Sequence, residues 1–260
     1  MQPIVPAVLV TADATEALPR LGGMARPDGA VIVSERYWAF AGVDGTLREG
    51  EMSSAHERLR RIPLVRGLAR LSASLSPLFR RSGVAKPRER RLLLGAVLAP
   101  FLTIFLPQVA RLPFALVVTF GLLGWMLRGR TLHLHGAEHR AIAAVEKREL
   151  QATWNGETRP SRFSPRCGTN FAALVAPVTF AFERFWTLPT AFFTPIAVTL
   201  VSLALTMELW ALVQASERRL ARAFLVPGLM LQRLTTREPA LAETQVALRA
   251  VESVLQRELA

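Results

Sequence analysis

The sequence predicts a mainly α fold: a polytopic helical membrane protein with about four transmembrane helices and a small N-terminal β-hairpin on the cytoplasmic side. Three observations predict it. The 260-residue chain is 51% hydrophobic, with a mean hydropathy of +0.28, yet carries a formal net charge of +12. That combination is common in polytopic membrane proteins and unusual in soluble domains. Four apolar segments stand out, at residues 92–109, 112–127, 169–186 and 188–213. Each is near the roughly 20 residues that span a hydrocarbon core, although the second is short. Finally, 30 of the 32 Lys and Arg residues lie before the first segment, between the second and third, or after the fourth, leaving only Arg111 and Arg184 elsewhere. If all four segments cross, the positive-inside rule places both termini and the 128–168 loop in the cytoplasm. A re-entrant first hairpin is the rival, because Pro100, Pro107 and Pro113 interrupt that pair. Charge so segregated around apolar segments implies membrane lipids as partners and excludes nucleic acid.

The elements follow in order. Residues 1–21 mix apolar and polar residues without a clear period and predict a loosely ordered arm. The opening Met1-Gln2-Pro3-Ile4-Val5-Pro6 lacks the basic n-region of a secretory signal. The β-branched and aromatic run 30–41 predicts a strand, Asp44-Gly45 a tight turn, and residues 47–52 a second strand. The arm and hairpin together make residues 1–54. An isolated hairpin is marginal in water, so it must lean on another element.

Residues 55–91 predict a basic amphipathic interfacial segment. Leu59, Ile62, Val65, Leu68, Leu71, Leu75 and Phe79 recur at three- and four-residue steps, with Arg58, Arg60, Arg61, Arg66 and Arg70 largely between them. Such a helix can lie among the inner headgroups or pack on its own protein. The transmembrane domain is residues 92–213, including the cytoplasmic loop 128–168. Residues 214–260 form a C-terminal cytoplasmic helical segment. There Leu241, Val246, Leu248, Val251, Val254 and Leu255 form a helical stripe. Pro239 suits its first turn, with Thr235, Thr236 or Glu238 as caps.

The 128–168 loop concentrates the polar chemistry. In His135-Gly136-Ala137-Glu138-His139, positions i and i+4 share a helix face, so both imidazoles can point at one metal ion. The order H-x-x-E-H is the inverted zinc-hydrolase motif, in which the Glu polarises a water. A pair of ordinary interfacial histidines is the alternative. Scarcity favours the motif, since three of the four His (His133, His135, His139) fall within seven residues. Glu146 lies two turns beyond His139 on the same face, too far along for easy co-ligation. The single cysteine, Cys167, excludes an internal disulfide and is available as a ligand or nucleophile, or is simply a small buried residue. It returns the chain to the third apolar segment and so can meet the His pair at the inner surface. Two imidazoles, one thiolate and a water would complete an open tetrahedral zinc site, with Glu138 as general base. Arg140, Arg162 or Arg166 would stabilise an anionic transition state or hold phosphate headgroups. Glu208, inside the fourth apolar segment, needs a polar partner or must snorkel to the headgroups.

The runs Leu134-His-Gly-Ala-Glu-His-Arg140, Pro165-Arg-Cys-Gly-Thr169 and Pro227-Gly-Leu-Met-Leu-Gln-Arg-Leu-Thr-Thr-Arg-Glu-Pro239 resemble the YqhQ-like bacterial membrane proteins. That is a family of unknown function for which metal-dependent enzyme activity is expected, and the likeness runs from about Gly22 to the C-terminus. It implies a bacterial inner-membrane location and supports His135, Glu138, His139 and Cys167 as the polar centre, with Glu146 at the following acidic position. Three departures accompany it. Arg140 stands where the family usually has Lys, Ser164 stands where a His is expected, and Gly22–Gly29 matches the N-terminal glycine motif only loosely. The expectation is therefore a metal-dependent hydrolase acting at the cytoplasmic membrane surface on a lipid-linked or membrane-bound substrate, with a divalent metal, zinc, as cofactor. Glu138 is its base and His135, His139 and Cys167 its ligands, with His133, Arg140, Glu146, Ser164, Arg166 and Glu208 in support. The alternative is a noncatalytic subunit of a larger membrane protein complex, using the same cluster as a clasp. Transport is disfavoured, because four crossings offer few intramembrane polar residues beyond Glu208.

Overall fold

The computed structural model describes residues 4–53, 61–187, 194–216 and 218–260. They form two compact units. One comprises Met1–Ser53, Leu127–Cys167 and Leu229–Ala260; the other comprises Ser54–Met126 and Gly168–Gly228.

The first unit is built on an antiparallel meander, β1 (Gly22–Arg26), β2 (Gly29–Val33), β3 (Tyr37–Gly42) and β4 (Leu47–Glu51), in that spatial order. The expected two-stranded hairpin is thus the second half of a four-stranded sheet. The single strand expected over residues 30–41 breaks at Ser34-Glu35-Arg36, where Ser34 Oγ accepts the Arg36 and Tyr37 amides at 3.2 and 2.9 Å. The Asp44-Gly45 turn lies where the sequence puts it, with Gly45 at φ +86°. Small residues Ala30, Ala39 and Ala41 are buried in the sheet, and helices α5 (Thr131–Lys147) and α11 (Leu241–Leu259) pack on it. The α11 stripe supplies Leu248, Val251, Val254 and Leu255, all fully buried, against Leu134, Ala137 and Ala141 of α5. Full burial of such side chains contributes roughly 1.5–3 kcal/mol each, so this seam dominates the unit's stability.

Two expectations are corrected here. The arm contains a helix, α1 (Ala7–Asp13), with Leu9 and Ala12 buried. Asp13 closes it onto the core by accepting the Leu150 and Gln151 amides, both at 2.9 Å, at the start of α6 (Leu150–Trp154). Helix α11 begins at Leu241, after Pro239, and the expected caps do not serve it. Instead Glu243 reaches back to accept the Ala240 amide at 2.8 Å.

The free end of α11 is tied to the β2–β3 turn. Glu258 accepts from Ser34 Oγ at 2.6 Å and from Arg36 at 2.5 and 2.9 Å, and its side chain is only 8% exposed. Burial alone would raise this carboxyl, but the Arg36 and Ser34 hydrogen bonds outweigh it and hold it below its ordinary value. A depressed folded pKa stabilises the fold at neutral pH, and that contribution is lost as pH falls from the ordinary carboxylate range through the folded value. Glu258→Gln is therefore expected to flatten the acid limb of stability against pH, followed by tryptophan fluorescence. A limb unchanged by the substitution would remove this cluster as its source.

The second unit is all helical: α2 (Val65–Phe79), α3 (Pro87–Leu102), a 3-10 turn (Thr103–Phe105), α4 (Gln108–Met126), α7 (Gly168–Arg184), α8 (Thr194–Ala215) and α9 (Arg219–Ala223), followed by the first residues of α10 (Val226–Thr235). Among the described residues, two helices, Val109–Met126 and Thr194–Ala215, are long and apolar enough to cross a membrane. The first expected crossing, 92–109, is instead split: α3 ends at Leu102 and α4 starts after Pro107. Arg111, which the sequence places between the first two apolar segments, is in the first turn of α4, its Nε donating to the Leu106 carbonyl at 3.2 Å. The amphipathic helix expected from residue 55 is present as α2; residues 54–60 lie outside the described residues. It packs on α8, where Gly67 admits Met207 and the Ala204 carbonyl.

Candidate metal centre

Helix α5 carries the H-x-x-E-H motif and ends at Arg148, whose φ of 60° is left-handed. Eleven of its seventeen residues are buried, Glu138, His139 and Arg140 among them. It is therefore a core helix of the first unit, with the motif in its middle. His135 and His139 stack edge to face, ring centroids 4.5 Å apart. The segment ending at Cys167 brings the sulfur to 3.2 Å from His135 Nε2. Ligand atoms of His135, His139 and Cys167 all lie within 4.8 Å of one another.

Backbone carbonyls aim the rings. His135 Nδ1–H donates to the Thr235 carbonyl at 2.9 Å, and His139 Nδ1–H donates to the Arg162 carbonyl at 2.7 Å. With each Nδ1 proton so used, the Nε2 lone pairs face the sulfur. This is the arrangement in which a backbone acceptor fixes the tautomer of a metal-ligating histidine. Burial lowers the His135 pKa, and burial followed by the charge of His135 pushes His139 down to about 4, so both rings are neutral near pH 7. His139 Nε2 is buried and makes no hydrogen bond among the described residues. Leaving such a nitrogen unpaired costs about 1–3 kcal/mol, a cost that a bound cation removes. The three side chains could therefore hold a metal ion.

Glu138 is 3% exposed and places Oε2 3.7 Å from His139 Nε2. Burial pushes its carboxyl up to about 8, and a neighbouring cation would favour the ionised form. The carboxylate lies against strand β1, where a Cβ on Gly23 would stand 2.6 Å from its Oε1. That contact explains Gly23, whose purpose the sequence does not reveal.

The remaining site candidates fall around the cluster. His133 points away from it, donating Nδ1–H to the Glu238 carbonyl at 2.9 Å. Arg140 is buried and engaged by the Pro160 carbonyl at 3.1 Å and by Glu238 Oε1 at 2.6 Å, so it is a staple rather than a free cation. Glu146 pairs with Arg166, next to Cys167, and thereby holds the cysteine loop on α5. Ser164 accepts the Arg166 amide on its Oγ at 3.2 Å and is clamped by Gln232. The Gln232 amide accepts Ser164 N–H at 2.9 Å and donates to Ser164 O at 2.8 Å. Glu208 belongs to the other unit, where it accepts from Arg66 at 2.8 and 2.5 Å and from the Leu64 amide at 3.2 Å. It has the polar partner that its apolar setting demanded, and Arg66 locks α2 to α8.

Four contributors escaped sequence reasoning. Gly23 makes room for Glu138, Gly136 makes room for the Arg237 carbonyl, Gln232 clamps the cysteine loop, and Glu238 gathers arginines. Only the glycines carried a signal, as small residues inside a strand and a helix.

A protein-family model described as "Protein of unknown function (DUF1385)" matches residues 94–257. The match runs from α3 to α11, so it contains all three cluster residues, whereas Gly23 lies outside it. No curated protein and no solved structure matches the chain.

Proposed function

The chain belongs to the DUF1385 family of unknown function, in agreement with its YqhQ-like motifs, and we propose that it is an integral inner-membrane metal-dependent hydrolase. His135, His139 and Cys167 hold zinc, and the substrate is lipid-linked or membrane-bound. The observation that carries this reading is the pair of Nδ1–H bonds to the Thr235 and Arg162 carbonyls. They leave two imidazole lone pairs converging with a thiol sulfur, and one buried nitrogen without a hydrogen-bond partner among the described residues. Zinc is favoured because it takes nitrogen and sulfur ligands in tetrahedral sites, and three protein ligands leave one position open. A divalent cation there supplies Lewis acidity to a water or a substrate carbonyl. The chain's own contribution is to bury the reacting centre and set both tautomers. It also keeps the Glu138 carboxylate 3.7 Å from His139 Nε2, where it would take a proton from water and return it to the leaving group.

In the same reading, the four apolar segments cross the bilayer, the first as the apolar end of α3 continued by the Thr103–Phe105 turn, with both termini and the metal centre on the cytoplasmic side. The segregation of 30 of 32 basic residues supports this orientation. Membrane lipids are the immediate partners.

Elemental analysis tests the centre. Wild-type protein is expected to carry about one zinc, and His139→Ala to lose it. Glu138→Gln is expected to keep the metal while hydrolysis falls about 10²–10⁴-fold, the range for removing a general base. Full metal in His139→Ala would sink the ligand set. If metal never binds, the cluster is a clasp within a noncatalytic subunit of a membrane complex, a reading favoured by the Gln232–Ser164 and Arg140–Glu238 ties around it.

A further inference from the structure

Beside the cluster, on the Nδ1 side of His139, the first unit has an open cleft of about 480 Å³. Its walls carry Arg140, Arg159, Ser161, Arg162, Phe163 and Glu238. Three guanidiniums and a single carboxylate line it. Arg140 Nη2 donates to Glu238 Oε1 at 2.6 Å, and Arg162 Nη1 lies 3.8 Å from Oε2. The Arg159 charge also acts on Glu238. Three positive charges against one leave the cleft with a surplus of two.

The Glu238 side chain is 56% exposed, whereas that of Arg140 is 7% exposed and anchored to the Pro160 carbonyl. The cationic floor is therefore fixed, and the carboxylate over it is the member free to leave. Arg162 also lies over the Phe163 ring at 5.0 Å, which gives the cleft one apolar wall.

We propose that this cleft is a binding site for a phosphate group, and that the Glu238 carboxylate occupies the site until a phosphate displaces it. The chemistry matches on three counts. A phosphate monoester carries about −1.5 to −2 charges at pH 7, more than the single charge of the carboxylate it displaces and within what three guanidiniums can balance, and offers three acceptor oxygens. Guanidinium forks pair with phosphate oxygens in bidentate geometry. The cavity exceeds what the phosphate alone needs, and Phe163 gives the attached organic group an apolar surface. The site does not depend on the metal reading, because none of its side chains is a ligand of that centre. It does share a wall with it: the Arg162 backbone carbonyl holds His139 Nδ1.

The test uses the full-length protein. Binding of inorganic phosphate is measured by titration calorimetry in detergent. Binding of a phosphomonoester lipid is measured in phosphatidylcholine nanodiscs with and without phosphatidic acid. Saturable binding of phosphate points to a soluble phosphate compound, and binding of phosphatidic acid alone points to a lipid headgroup; both support the site. Arg159→Ala with Arg162→Ala is expected to weaken binding at least tenfold. Glu238→Gln removes the competing carboxylate and is expected to tighten it several-fold, a gain that misfolding cannot produce. No saturable binding in either setting, or wild-type affinity in Glu238→Gln, overturns the proposal.

Discussion

Gly136→Ala is expected to weaken the proposed zinc binding about 10–100-fold and to destabilise the first unit by about 1–3 kcal/mol. Gly136 sits between His135 and His139, where the chain leaving α10 crosses α5. Leu132 O accepts the Arg237 amide at 2.9 Å, and the Arg237 carbonyl lies directly over Gly136. A Cβ at this position would run into that carbonyl and would stand 3.2 Å from Pro239 Cδ. The obstacle is backbone, so no side chain can rotate out of the way. In a free helix, alanine would gain about 1 kcal/mol over glycine, which the collision exceeds. The effect reaches the metal because the Thr235 carbonyl, two residues before Arg237, takes the His135 Nδ1 proton. Competition with a chromogenic chelator measures the affinity, and thermal melting measures the stability. Wild-type zinc affinity in Gly136→Ala would show that the crossing chain does not aim His135.

The second large effect is expected at Gly23. A Cβ there would stand 2.6 Å from Glu138 Oε1, 2.7 Å from its Cγ and 2.8 Å from the Val31 carbonyl. The carboxylate is buried, so it cannot swing aside without leaving its position near His139 Nε2. Gly23→Ala is expected to cost about 1–3 kcal/mol, as overpacking does, while retaining the metal, because no ligand moves. A double-mutant cycle identifies the cause. Glu138→Ala removes the atoms struck, so the pair should be far less destabilised than the sum of the single variants. The Val31 carbonyl remains in place, which makes the rescue partial. Strict additivity in the cycle would mean that Gly23 and Glu138 do not touch.

Much of the architecture is legible in the sequence because the signals are periodic and local. The stripe from Val246 to Leu255 defines one face of α11, and that face meets the sheet. Asp44-Gly45 marks its turn because glycine reaches positive φ without strain. The four-stranded sheet was half legible. A polar interruption at Ser34–Arg36 inside an otherwise continuous β run reads as part of a strand until Glu258, at the far end of the chain, is seen to bind it. Helix α1 was illegible for a similar reason: seven residues cannot sustain a helix alone, and its order comes from Leu9 in the core and Asp13 on α6.

The sequence by itself determined that His135 and His139 share a face and that Glu138 adjoins them, since a helical repeat of 3.6 residues fixes those relations wherever the helix lies. It also determined that the apolar segments and basic clusters alternate along the chain. The sequence already set Cys167 with the imidazoles and Glu146 aside; only the tertiary structure decided that the sulfur comes to 3.2 Å from His135 Nε2, because that distance depends on the path of the intervening chain. Only the tertiary structure decided which carbonyls take the Nδ1 protons, because a backbone carbonyl is the same group in every residue and leaves no trace in the sequence. The chemical letters of the centre are written locally, whereas their aim is set by packing.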